Sequence, residues 1–433
     1  MIKLEIGNSY SKITGLSAKQ EKELREALSY IVGGSSAYYS GFGVRKKSLL
    51  NKKGEFPSGL LWRTEVWLKN QKINWCRIEK RQNRPLTIPR RLVGLEVTPY
   101  KDQLEAVKKA ELYGHGTISM PTGTGKSLVI ALIAARLNVK TLVIVPSIEI
   151  KKQLSESISD ALGPSHKVTV ENIDSRRLNK LTDFDCLIID EAHHSAAKTY
   201  QKLNKTAWTG IYYRFFMTAT PFRNDTEETL LFEAIAGQVI YKLDYKTAVK
   251  NKYIVPIEAF YIDLPKHKND YYAWQEVYKN LIVNNVHRNS IIFSLLFSLY
   301  EADKSTLCLV KEVQHGKNIN YPVFVHGEDD ETRFLINKFN NREIKGLVAT
   351  SGMMGEGVDT KPCEYVIIAG LGKAKSQFMQ AVGRAVRNYP GKESAKIIIF
   401  RDTSHKFTLR HFNAQKKILK EEYGVVVSKL EII

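Results

Sequence analysis

The chain has 433 residues, of which 43% are hydrophobic and 25% charged, so it can bury real cores and is no disordered polymer. Lys and Arg number 65 against 45 Asp and Glu, a net charge of +20 that suits a polyanionic partner, either nucleic acid or an anionic membrane face. At roughly 150 residues per domain, the length points to about three domains.

Several classes fall away at once. No apolar stretch approaches the ~20 residues of a spanning helix. The longest candidate, 291–300, contains Ser294 and Ser298 and reads as a core helix. Lys3 and Glu5 sit where a signal peptide would be apolar. Cys76, Cys186, Cys308 and Cys363 are scattered without a C-x-x-C pair, so neither a zinc module nor a disulfide framework is expected. The expectation is a soluble cytoplasmic protein with no membrane contact, monomeric as purified.

Residues 1–95 hold 19 Lys and Arg against 7 Glu and no Asp, a surplus of 12 in about a fifth of the chain. Basic clusters include Arg45-Lys46-Lys47, Lys52-Lys53 and Arg90-Arg91, interleaved with Tyr38, Tyr39, Phe42, Trp62, Trp67 and Trp75. Bases stack on aromatic faces and phosphates pair with Lys and Arg, so the mixture suits a nucleic-acid surface, with Arg45, Lys46 and Lys47 as candidate contacts. The alternative is that the tryptophans are core of a small α/β module.

An amphipathic helix is expected over 17–32, ended by Gly33-Gly34. Short strand-like runs come next, and 80–91, polar with two prolines, reads as a linker. From about residue 96, apolar β-type runs alternate with helical segments: 116–120, 141–145, 186–189 and 213–217. A second series lies at 306–310, 322–325, 346–349, 365–369 and 396–400. Such alternation predicts parallel sheets flanked by helices. The expected division is a basic α+β module over 1–92, an α/β domain over 93–250, and another over 251–433 that ends in a basic helical tail.

Met120-Pro121-Thr122-Gly123-Thr124-Gly125-Lys126-Ser127 follows a β-type run and opens a helical one, the context a P-loop requires. Its glycines let backbone N–H groups turn toward phosphate, and the helix N-terminus adds partial positive charge. Thr122, Gly123, Thr124 and Gly125 would line the cradle. Lys126 would reach the β/γ phosphates of ATP, and Ser127 would ligate Mg²⁺. Met120 stands where the usual pattern begins with Gly.

Asp190-Glu191-Ala192-His193 closes the buried run 186–189. A carboxylate at the tip of a neighbouring parallel strand suits the second Mg²⁺ contact, which assigns Asp190. Glu191 is placed to orient and deprotonate the attacking water. Further on, Arg384 and Arg387 lie three residues apart, a spacing that would put them on one helical face as a clamp on a transferring phosphoryl group, with Gln380 beside them.

These motifs, with Thr218-Ala219-Thr220-Pro221, Thr350 to Asp359 and Gln380-Ala381-Val382-Gly383-Arg384-Ala385-Val386-Arg387, resemble the superfamily 2 helicases from about Pro99 to about Arg401. The resemblance implies two tandem RecA-like parallel-sheet motor domains after the basic α+β module, with ATP completed on domain closure. It implies that Gln103 reads adenine, although Tyr100 stands three residues before it rather than directly before. It implies that His193, Thr218 and Thr220 couple ATP to nucleic acid, that Gly357 and Asp359 face the nucleotide, and that Pro146 and Ser147 touch the strand backbone. Within the superfamily, the compact core behind a small basic module resembles the phage branch-migration helicases of the UvsW type, which implies branched or forked duplex DNA as partner. An RNA helicase, a restriction-complex motor subunit and an ATP-switched binding protein remain alternatives.

Overall fold

Strand Ile2–Ile6 buries Ile2, Leu4 and Ile6 and turns Lys3 outward, the period-two pattern of a half-buried strand. It pairs antiparallel with Tyr10–Thr14 and parallel with Trp75–Glu79, and Glu55–Pro57 completes a four-stranded sheet. The computed structural model describes residues 1–32, 46–81, 85–94, 98–220, 226–327, 330–352, 360, 362–372 and 374–431. They form two compact units, Met1–Met120 with Gly125–Leu243 and Pro121–Thr124 with Asp244–Ile433.

The first helix is Ala18–Ala27, shorter than the expected 17–32. Ser17 Oγ accepts the Gln20 N–H and Gln20 Oε1 accepts the Ser17 N–H, a reciprocal cap that sets its start. It stops early because Ser29–Ile31 pairs with Lys46–Ser48. Of the aromatics, Phe56 is buried and Trp67 and Trp75 pack against Leu4, Leu60 and Leu68, so these three are core. Trp62 carries the Arg63 guanidinium over its ring at 5.0 Å.

That same core takes in Leu230 and Ala234 of helix Thr226–Ala236, which belongs to the next sheet's layer. The approach is tight. A Cβ on Gly59 would lie 2.2 Å from the Glu233 carbonyl oxygen, so no other residue fits without moving backbone. Arg63 Nε meets Glu233 Oε2 at 2.6 Å. Deepest lies Arg214, 1% exposed, on strand Tyr213–Thr218. It donates to the Asn8 carbonyl at 3.0 Å, to Ser9 Oγ at 2.7 Å and to Asn204 Oδ1 at 2.5 Å. Burial lowers its pKa to about 10. The stretch read as a linker is also pinned: Arg90 N–H donates to Ala135 O and Val93 N–H to Ala161 O, at 2.8 and 3.0 Å.

The second sheet of this unit is all parallel, in the order Val239–Lys242, His115–Ser119, Tyr213–Thr218, Cys186–Ile189, Thr141–Val145, Val168–Asn172. Three of its inner strands, Tyr213–Thr218, Cys186–Ile189 and Thr141–Val145, are buried along their whole length, as a sheet covered by helices on both faces requires.

The other unit holds a seven-stranded parallel sheet, ordered Phe324–Val325, Gly346–Thr350, Thr306–Val310, Tyr365–Ile368, Ala395–Arg401, Ile257–Asp263, Val427–Lys429. Helix Val286–Glu301 buries Ile292, Leu296 and Leu299 but exposes Phe297, so the expected core helix is buried on one side only. The tail forms helix Lys406–Tyr423 and then an edge strand. Among the described residues, no helix is long and apolar enough to cross a membrane. The two parallel sheets give the tandem RecA-like α/β architecture, preceded by the small α+β sheet.

Arg214→Ala leaves three buried partners without a donor, each costing roughly 1–3 kcal/mol. The expected outcome is a marked fall in the urea midpoint of the first unit. An unchanged midpoint would show that Arg214 does not clasp the N-terminal sheet to the parallel one.

Candidate nucleotide site

Parallel register brings three loops to one edge of the six-stranded sheet. Ser119 lies opposite Thr218, and Ile189 opposite Phe216. The segments that leave these strand ends are 120–127, 190–193 and 218–220, where α/β sheets bind ligands. Met120 is fully buried and its N–H donates to the Thr218 carbonyl at 3.0 Å. The residue that replaces the usual Gly therefore extends the strand, and the cradle itself begins at Pro121.

Helix Lys126–Leu137 starts at once after Gly125 and is buried on nearly every side, which fixes its axis. Gly125 has φ +79, and a Cβ there would lie 2.5 Å from Gln103 Nε2. Gln103 is 3% exposed and its Oε1 accepts the Tyr100 N–H at 2.8 Å. Its side chain thus lies under the loop. Thr124 is buried and donates from Oγ1 to the Pro121 carbonyl at 2.7 Å, and Thr122 is half-buried. Gly123 and Ser127 are exposed, Ser127 in the first helical turn.

Glu191 has φ 44, a left-handed conformation that costs a non-glycine residue roughly 1–3 kcal/mol. Its N–H donates to Asp190 Oδ1 at 2.9 Å. Glu191 Oε1 lies 3.7 Å from Lys126 Nζ, and Oε2 lies 3.2 Å from His193 Nδ1. Burial alone would raise the Glu191 carboxyl, but Lys126, then His193 and His194, outweigh it and hold the pKa below the usual carboxylate range. Lys126, Glu191 and His193 therefore lie in one chain of contacts centred on the Glu191 carboxylate. Thr218 is buried, and its Oγ1 accepts the half-buried Thr220's N–H at 3.0 Å.

The donor set fits a nucleotide with Mg²⁺. Among the described residues, no group of three or more His, Cys, Asp or Glu could hold a metal ion. Mg²⁺ needs no such group, since it is commonly held by one or two protein oxygens plus phosphates. Ser127 and the buried Asp190 are the protein oxygens that would hold it.

In the other unit, Gln380 and Arg384 lie on helix Lys375–Ala385, half-buried and buried respectively. Arg387 does not share that helical face. The helix ends at Ala385, and Arg387 forms an antiparallel bridge with Ile254 while Val255 N–H donates to the Val386 carbonyl at 2.9 Å. Strand-type pairing there draws the chain out of the helix.

Pro146 and Ser147 are half-buried at the start of helix Ile148–Leu162, where Ser147 Oγ accepts the Ile150 N–H at 3.3 Å. Lys46 and Lys47 are exposed on their short strand, and Lys46 meets Glu26 at 2.8 Å. Arg45, Gly357 and Asp359 lie outside the described residues. Motif spacing did not reveal the left-handed backbone at Glu191 or the bridge at Arg387.

Two family descriptions match: "Type III restriction enzyme, res subunit" over residues 96–182 and 169–223, and "Helicase conserved C-terminal domain" over 274–389. Together they span more than half of the chain. The DNA 3'-5' translocase XPB2 of Sulfurisphaera tokodaii is 25% identical, over 72% of this chain and 83% of that protein. The ATP-dependent DNA helicase uvsW of Enterobacteria phage T4 is 22% identical, over 70% of this chain and 68% of its own. The chain spans 48% of the length of the "Putative ATP-dependent helicase IRC3" of Saccharomyces cerevisiae, to which it is 25% identical over 65% of its own length. The solved structure of the ATP-dependent Type ISP restriction-modification enzyme LlaBIII bound to DNA shares the fold, with a TM-score of 0.59 at 13% identity over 86% of this chain and 34% of that one.

Glu191→Gln keeps the size of the side chain and removes its charge. Nucleotide binding is expected to stay within a few-fold, while hydrolysis falls roughly 10²-fold or more. Equal losses in a binding titration and a phosphate-release assay would mean that Glu191 serves only to hold Lys126.

Proposed function

The chain belongs to the superfamily 2 helicases, and we propose that it uses ATP and Mg²⁺ to move along DNA and remodel branched structures. The reactions that fit are fork regression, Holliday-junction migration and unwinding of D-loops or R-loops, in recombination, repair or replication. One observation carries the motor half of this reading: the Lys126–Glu191 pair, 3.7 Å apart and largely shielded from solvent at the edge where the P-loop emerges.

In this reading Lys126 and the N–H groups of the 123–127 turn hold the phosphates, and Mg²⁺ neutralises charge on them. Glu191 is ionised before substrate arrives, so it can take a proton from water. His193 fixes the carboxylate that does so. Gln380, Arg384 and Arg387 supply polar groups to the phosphoryl oxygens, and Gln103 sits behind the loop as the nucleotide sensor. Pro146 and Ser147, with Lys46 and Lys47, are the nucleic-acid contacts.

The DNA half rests on the basic N-terminal sheet and its fusion to the motor. Lys46, Lys47, Lys52, Lys53, Arg77 and Lys80 are exposed on a body that shares a core with helix Thr226–Ala236. Charge held on a rigid body steers a duplex in a way a tethered tail cannot. A second reading, the motor subunit of a restriction-type complex, is favoured by the description of the family matched over 96–223.

The two readings separate in an ATPase and strand-displacement panel over single-stranded, duplex, forked, four-way and RNA substrates. Branch remodelling predicts the greatest stimulation and product release on forked and four-way DNA. Equal stimulation by plain duplex, with no displacement, would favour the restriction-type motor. Lys126→Ala should abolish turnover on every substrate.

A further inference from the structure

The tail helix Lys406–Tyr423 has two faces of different character. Its inner face buries Thr408, Phe412, Gln415, Ile418, Leu419 and Tyr423. Gln415 Nε2 donates to the Leu371 carbonyl at 3.2 Å, so packing and hydrogen bonding already hold the helix without its charges. The outer face exposes Lys406, Arg410, Lys416, Lys417 and Lys420. The spacings 406, 410, 417 and 420 are steps of four, seven and three, which keep these side chains on one stripe.

A solvating helix face normally mixes signs. This one does not. Glu421 is the one exposed acid on the helix among the described residues, and it meets Lys417 at 3.7 Å. None of Lys406, Arg410, Lys416 and Lys420 forms an ion pair among the described residues. Lys406 and Arg410 stand over the Phe407 ring at 5.6 and 5.7 Å, which limits how far their cations stray. The stripe continues onto the neighbouring loop, where Lys266 and Lys268 are exposed beside Asp270. That loop is tied to the helix start: His267 N–H donates to Ser404 Oγ at 3.0 Å, and the Trp274 and His411 rings are 4.2 Å apart.

We propose that the outer face of helix Lys406–Tyr423 is a second nucleic-acid surface, which grips the phosphate backbone of duplex DNA. From Lys406 to Lys420 the helix rises about 21 Å, at 1.5 Å per residue. A duplex carries about one phosphate per strand for every 3.4 Å of its axis, so that length spans roughly six per strand. Five cations of one sign, with one paired, match such a row and read no sequence. None of these residues belongs to the motifs of the nucleotide site. The proposal rests on the DNA-motor reading, because it supplies that motor with an additional grip.

The test uses the full chain and two variants, Lys416→Gln/Lys417→Gln/Lys420→Gln and Lys406→Gln/Arg410→Gln. Binding to a labelled duplex and to a labelled single strand is measured from low to moderate salt, with ATPase measured in the absence of DNA as a control and, for wild type, also with DNA added. The expected result is duplex affinity lower by tenfold or more for the triple variant. Its log K against log salt slope should be shallower by roughly 2–3, and that of the double variant by about 2, near 0.9 for each phosphate that is no longer neutralised. DNA-free ATPase should be unchanged. Unaltered duplex affinity and slope in both variants would overturn the proposal, as would a loss confined to the single strand. Wild type without DNA-stimulated ATPase would sink the motor reading instead, so the two failures are distinguishable.

Discussion

Parallel register in the six-stranded sheet is the constraint that creates the nucleotide site. Each strand ends on the same edge, so the loops after Ser119, Ile189 and Thr218 share a region although 99 residues separate the first strand end from the last. Hydrogen bonding alone does not select this arrangement. The strands are apolar on both faces, so they need helices on both sides, and strands that all run the same way then place every strand-to-helix loop at one end. The charged groups are tolerated at that edge because each has a partner. Lys126 is drawn from solvent by Glu191, and Glu191 is kept ionised by Lys126 and His193. The left-handed backbone at Glu191 is local strain at the point where its carboxylate meets Lys126 and His193.

A second buried cation organises the rest of the first unit. Arg214 lies within a central strand, where an uncompensated charge would be costly. Its partners are a carbonyl, a hydroxyl and a side-chain amide rather than a carboxylate. Two of those three come from Asn8 and Ser9, so Nη1 of this buried guanidinium finds its partners only when the N-terminal sheet is docked. The Gly59 approach and the Arg63–Glu233 pair act at the same seam. The basic module is thus part of the same folded body as the motor half.

Much of this architecture was legible because buried strands leave an apolar signature. The runs at 141–145, 186–189 and 306–310 coincide with strands residue for residue. Helix ends were harder to read. The segment at 17–32 is amphipathic throughout, yet Ser29–Ile31 leaves the helix for a strand partner at 46–48, a non-local choice that helical periodicity cannot see. The same cause removes Arg387 from its expected helical turn, since its bridge partner Ile254 is more than a hundred residues away. Site residues were read from motif spacing, which carries identity but not geometry. The φ of Glu191 and the burial of Gln103 are properties of packing. Arg214 did carry a signal, an arginine inside the otherwise apolar run 213–217, and its meaning emerges only with Asn8 and Ser9 beside it.

The charge distribution acquires a physical sense once burial is known. Arg214, Arg288 and Arg384 are buried, so part of the positive total has a structural use and is not available to a polyanion. Arg288, for example, donates from Nε and Nη2 to the Ala369 carbonyl at 3.1 and 2.5 Å, fixing the end of strand Tyr365–Ile368. Two groups of exposed cations differ in build. One is the N-terminal sheet, where cations such as Arg77 and Lys46 have acidic neighbours, Glu65 and Glu26. The other is the outer stripe of Lys406–Tyr423, where cations outnumber acids five to one. Paired cations exchange one partner for another when phosphate arrives and gain little. Unpaired cations gain the whole interaction and release counterions from the DNA. On that ground the unpaired cations of the tail helix are the ones that would gain most from a row of phosphates.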